Sequence, residues 1–246
     1  MKQFILITLK PVLVIVLVIM AITLKAQPTK ILRIKNGQDA IKHVSAHDRF
    51  QFMDFQIGKL YFKNGKYAQA RLNYCYLKGE VMYIDHKGDT LLIADNNKVK
   101  YAEIGKFIFH FDPGNGYMEV IENCENIALA KKYQYKLSGI EKKGAYNNKN
   151  ELGSVSNTAS YTDPISGITT ALPVNNVVVL RPDLSYFFVD QNGRSFNADR
   201  HSLLKIYSKN RNAIGKYMNA MKTDFHKEED LKKIIRYCCE LESTKI

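Results

Sequence analysis

The stretch Asp85-His86-Lys87-Gly88-Asp89-Thr90 puts two carboxylates, an imidazole and an amine within six positions. Two acids around a histidine could hold a metal or pass a proton, provided a third group converges on them. The setting argues for something plainer. Short runs of strand-forming residues, Val81 to Asp85 and Asp89 to Ile93, flank a glycine that can take a positive φ. The six residues read as a hairpin tip whose aspartates bond the local backbone.

A second set is Asp39, His43 and His47, at i, i+4 and i+8, with Asp48 adjacent. On a helix these three side chains share one face, which suits zinc. No glutamate stands beside the first histidine, so the HExxH protease mechanism is absent. The set is the candidate metal site of this chain, and a metal-dependent hydrolase of the periplasm is its enzymatic reading. The run Gly139 to Ala145 approaches a phosphate loop but lacks the Lys-Ser/Thr pair after its second glycine. No GxSxG elbow, GxGxxG fingerprint or calcium loop occurs, and acids such as Glu119 and Glu122 need spatial proximity before they can act as a pair. No catalytic residue and no cofactor are assigned from the sequence.

The cysteines are Cys75, Cys124, Cys238 and Cys239. Their spacing matches no zinc ribbon, and the adjacent pair could bridge only with strain. Cys75 with Cys124 is geometrically possible, and the four read mostly as small buried residues.

The elements that position these residues change character along the chain. From Arg49 the period is close to two: Ala68, Ala70, Leu72, Tyr74 and Tyr76 alternate with Tyr67, Gln69, Arg71, Asn73 and Cys75. Phe107, Phe109 and Phe111 repeat the pattern, as do Tyr133, Tyr135 and Leu137. Asn64-Gly65, Lys78-Gly79, Lys87-Gly88 and Pro113 to Gly116 punctuate the runs as tight turns. Residues 27–138 therefore form an N-terminal segment and a β-meander. Residues 139–176 are rich in Gly, Asn, Ser and Thr and read as a polar flexible insertion. Strands resume from Val177, with a further hairpin at Asn192-Gly193, and 177–246 folds with 27–138. Its second half switches period: Ile214, Tyr217, Met218 and Met221, then Leu231, Ile234, Ile235, Cys238 and Leu241, mark two amphipathic helices. Asp199 caps a shorter one. The fold class is α+β, an antiparallel β-meander followed by C-terminal amphipathic helices.

Lys2 and Lys10, the apolar run Val12 to Leu24 and Ala26 make the three-part pattern of a signal peptide over residues 1–26. Lys10 and Lys25 bracket the run and leave it short for a span, so no stable membrane span is expected after cleavage; an uncleaved anchor is the alternative. Removal takes away three lysines and no acid, leaving 33 basic against 24 acidic side chains. Those charges are dispersed, with 22 basic and 17 acidic over 27–198 and 11 and 7 over 199–246. Dispersed charge on an exported protein points away from nucleic acid and towards an envelope protein or an anionic envelope polymer.

With YFKNG, LNY, KGE and KGDT in the meander, KKGAY at Lys142 to Tyr146 and DFHKEEDLKKIIRY at Asp224 to Tyr237, the chain resembles a group of exported proteins of Gram-negative bacteria without assigned activity. The resemblance implies export, and nothing catalytic. The function expected is that of a non-enzymatic envelope protein that binds a partner, in the periplasm or at the surface, with the 139–176 segment ordering over it.

Overall fold

Alternating side chains and left-handed glycines dictate a continuous antiparallel sheet, and the computed structural model has one. It describes residues 30–35, 43–142, 158–162, 169–173 and 176–243. The strands are β1 (Leu32–Lys35), β2 (Gln56–Phe62), β3 (Tyr67–Cys75), β4 (Glu80–Ile84), β5 (Thr90–Leu92), β6 (Val99–Ile104), β7 (Phe107–Asp112), β8 (Gly116–Asn123), β9 (Ile127–Lys142), β10 (Thr158–Thr162), β11 (Thr169–Pro173), β12 (Asn176–Asp190) and β13 (Ser195–Asn197). The helices are α1 (Ala46–Arg49), α2 (Arg200–Ile206), α3 (Arg211–Met221) and α4 (Glu228–Ser243). The class is α+β, as the periodicity required.

The sheet order is β1-β12-β9-β8-β7-β6-β2-β3-β4-β5, with β13 on β12 and β10–β11 as a separate hairpin. The meander has one interruption: after β5 the chain returns past three strands to pair β6 with the free edge of β2. Strands β9 and β12 pair over their whole length, from Ile127 with Asp190 to Lys142 with Asn176. Within the polar segment, residues 139–142 and Asn176 thus belong to these two strands. The segment's other described residues are the backbone of β10 and β11; the rest lies outside the described residues.

The sheet bends back on itself. Around the end of β3, Phe50 bridges to Cys75, the Tyr135 amide donates to the Tyr76 carbonyl (2.8 Å), and the Tyr74 hydroxyl donates to the Tyr133 carbonyl (3.1 Å). The bend encloses Leu60, Leu72, Tyr74, Ala102, Ile104 and Phe109. Each fully buried leucine or phenylalanine there is worth roughly 1.5–3 kcal/mol. Asn73 and Cys75, on the other face of β3, are buried as well, Asn73 by the loop at Phe52. Asn73 exchanges both amide groups with Phe52, Nδ2 donating to its carbonyl (2.8 Å) and Oδ1 accepting from its N–H (3.2 Å).

The helices cover the same sheet face further along. Ile214, Met218, Leu231, Ile234, Ile235 and Cys238 pack against Ile127, Leu129 and Phe188. Asp199 accepts from the Ser202 amide (2.7 Å) and caps α2. Glu228, Glu229 and Asp230 occupy the first turn of α4, where they favour its dipole. Arg236 makes a two-pronged bond to Glu122 (2.8 and 3.2 Å) that docks α4 on β8.

Two of the four cysteines depart from the expected role of small buried residues. Cys124 and Cys239 form a disulfide, with Cα atoms 5.9 Å apart and a sequence separation of 115. The cause is α4 lying over the β8–β9 turn. One helical residue step turns a side chain by about 100°, so Cys239 reaches the turn while Cys238 points into the core. Cys75 and Cys238 are free and buried, and burial pushes the Cys238 thiol up to about 12. Among the described residues no helix is long and apolar enough to cross a membrane.

Candidate binding face

On the sheet face opposite the core, paired registers set side chains in rows. Tyr67 lies opposite Tyr61, Tyr61 opposite Tyr101, and Tyr101 opposite His110, so one row crosses β3, β2, β6 and β7. The next row is Gln69, Lys59, Glu103 and Ile108, and beyond it Ile57 faces Arg71. Their inward neighbours, Leu60, Ala102 and Phe109, are core residues, so alternation alone sends these side chains outward.

The face is open. Tyr67 is 61% exposed, Ile57 70% and Ile108 43%. Tyr61 and Tyr101 stack at 4.5 Å between ring centroids, and Tyr61 and Tyr67 stand at 5.8 Å. The Lys59 ammonium lies 5.4 Å from the Tyr67 ring centre, a cation–π contact. Partial burial raises the Tyr61 hydroxyl above the ordinary phenol range, and its hydrogen bond to Glu103 raises it further. Tyr101 is raised by burial and by the Glu103 charge. The Tyr61 and Tyr101 hydroxyls therefore stay protonated at neutral pH, able to donate and to accept.

Beneath the row the strands are pinned by a close approach. A Cβ at Gly58 would stand 2.3 Å from the Glu103 carbonyl oxygen and 2.9 Å from Leu72 Cδ1. Only glycine fits there, and its absence of side chain fixes the β2–β6 spacing that aligns Tyr61 with Tyr101.

The residues singled out by type behave differently. Asp85 to Thr90 is the β4–β5 hairpin tip: Asp85 Oδ1 accepts from the amides of Lys87 (2.9 Å) and Asp89 (2.8 Å), and Gly88 has φ +90°. Asp39 lies outside the described residues. His43 and His47 are exposed. They do not ride one continuous helix, because Ser45 is extended (φ −57°, ψ 151°) and caps a new helix at Ala46. His47 Nδ1 stands 3.8 Å from Asp48 Oδ1.

Two polar clusters escaped notice in the sequence. Glu80 accepts from the Asn96 amide (3.0 Å), the Tyr117 hydroxyl donates to Asn96 Oδ1 (2.9 Å), and Lys132 donates to the Asn115 carbonyl (2.7 Å). Burial raises Glu80 and lowers Lys132, each opposed by the other's charge. Their bonds go to turns and side chains of β4, β8 and the loop before β6. Nearby, Asp112 accepts from the amides of Gly114, Asn115 and Ser195, and His110 Nε2 bonds the Gly193 carbonyl (2.9 Å). This clasp closes the β12–β13 hairpin over the β7–β8 turn.

The tyrosine row was also missed as a site. Tyr61 and Tyr67 flank the Asn64-Gly65 turn, a legible sign of cross-strand pairing. Tyr101 joins them only through the long-range β2–β6 register, which no local pattern encodes. Comparison with protein-family models, curated proteins and solved structures finds no match to this chain.

Proposed function

We propose that this chain is exported to the bacterial envelope, periplasmic or surface-bound, and acts there as a non-enzymatic binding protein that holds a partner on its outer sheet face. The observation that carries the reading is the row Tyr67–Tyr61–Tyr101, with Tyr67 exposed, Tyr61 and Tyr101 half-buried, and exposed Ile57 and Ile108 beside it. Aromatic side chains on a rigid sheet supply contact area at low entropic cost, and contiguous exposed apolar surface marks interaction sites. The signal-like N-terminus and the resemblance to exported proteins support the location.

Two measurements test it. N-terminal sequencing of the protein recovered from envelope fractions should begin near Gln27. Mild crosslinking of the tagged chain in native envelopes should trap a discrete partner, and Tyr67→Ser should release it. A mature chain found in the cytoplasm, or capture unaffected by Tyr67→Ser, overturns the reading.

A further inference from the structure

The charge around the tyrosine row narrows the class of partner. Lys59 and Arg71 stand on the face itself, exposed. Lys63 and Lys66, also exposed, sit in the β2–β3 turn at the end of the row, and exposed Lys100 precedes Tyr101. Lys98, beside them, is neutralised by Asp95 at 2.9 Å. Against these five cations the face sets, among the described residues, the carboxylate of Glu103, which is bonded to the Tyr61 hydroxyl.

We propose that this face takes an acidic polysaccharide, a sugar chain bearing carboxylates or phosphates, laid across β3, β2 and β6 along the tyrosines. The inference rests on the face being the partner surface. An extended peptide on the face is disfavoured by the backbone: β2 is paired on both sides, with β3 and β6, and β6 pairs β7 as well, so these ladders are already formed within the sheet. Added strands dock on sheet edges, so a peptide lying on the face would keep its own N–H and C=O groups unmatched. A glycan has no such ladder to satisfy. Its hydroxyls match the donor–acceptor edges of the tyrosines and Gln69, its ring C–H faces match the aromatic and isoleucine surface, and its anions match the lysines and Arg71.

The test is affinity electrophoresis of the purified full chain through gels containing polygalacturonate, a phosphomannan or neutral dextran. Retardation by an acidic polymer and none by dextran is expected, and which of the two acidic gels retards separates carboxylate from phosphate recognition. Tyr67→Ala and the pair Lys59→Gln/Arg71→Gln should each weaken retardation about tenfold, a loss of one decade in Kd. Both sites are exposed, so unchanged melting of the variants verifies the fold. Retardation that salt abolishes but Tyr67→Ala leaves intact would be charge attraction alone and overturns the proposal. Failure of both acidic polymers, with envelope crosslinking still dependent on Tyr67, overturns the glycan class and leaves the face as a protein-binding surface. Loss of Tyr67 dependence in both assays overturns the face as well.

Discussion

Asp85 and Asp190 close two different hairpins in the same way. In each, Oδ1 accepts from the amides two and four residues on, the aspartate amide bonds the carbonyl four residues on, and a left-handed glycine stands at the third position after it. Phe62 to Lys66 repeats the backbone pattern, with Asn64 supplying the side-chain acceptor. This recurrence is why a histidine and two acids in DHKGDT amount to a turn. Asp190 differs by gripping the Arg194 guanidinium as well (2.7 and 2.8 Å). Burial alone would raise its carboxyl, but the bonds from the Arg194 backbone and side chain hold it below the ordinary aspartate range. A depressed folded value means stability present above the unfolded value and lost as pH falls through the folded one. Asp190→Asn should therefore cost about 1 kcal/mol near neutral pH, and the gap should close in acid; urea titrations at several pH values check it. Glu80 works with the opposite sign. Its folded value is raised, so its contribution is full below the ordinary glutamate range and is lost as pH rises through the folded value. Cys238, held up to about 12, should resist iodoacetamide at pH 8 in the native protein and react fully on unfolding. Rapid native labelling would show that α4 opens.

At the scale of elements, the hairpins and helices were legible because their signals are local: Gly65, Gly79, Gly88 and Gly193 mark turns, and the spacing of Leu231, Ile234 and Cys238 marks a helix face. What was hidden depends on partners far apart in sequence. Asn73 gave no sign that a loop would cover it, and nothing near Cys124 points to Cys239. Nor did the polar character of Asp39 and His47 announce the break at Ser45. The disulfide closes a loop of 115 residues. On chain-entropy grounds its removal should cost about 3–5 kcal/mol. Denaturation of Cys124→Ser/Cys239→Ser against the oxidised chain measures this, and an unchanged midpoint would show that α4 docks without it. Gly58→Ala should cost about 1–3 kcal/mol through overpacking against Glu103 and Leu72, whereas Tyr67→Ala should stay within about 0.5 kcal/mol. That contrast separates the residue that spaces the strands from one that stands on them.

For the molecule as a whole, Ile31–Ile246 form one compact unit, and the β9–β12 ribbon is its longest feature. Lys142 and Asn176 are direct partners at its end. Two residues suffice to close an antiparallel pair, so replacing 143–175 by Asn-Gly should leave the melting temperature within a few degrees. If the polar segment orders over the partner, the same deletion should weaken capture; equal capture would show that the sheet face acts alone. The ribbon has a further consequence, in time rather than in space. Leu32 to Lys35 form the first strand of the described chain, yet they pair with Val177 to Leu180. A chain that crosses a membrane N-terminus first must carry β1 unpaired until most of its length has followed, and the Cys124–Cys239 pair completes later still. Contacts between distant segments form late because loop closure comes before its reward. Closure of the fold is expected to proceed outward from the middle hairpins, and any chain cut short before Val177 would leave Leu32–Lys35 without this partner strand.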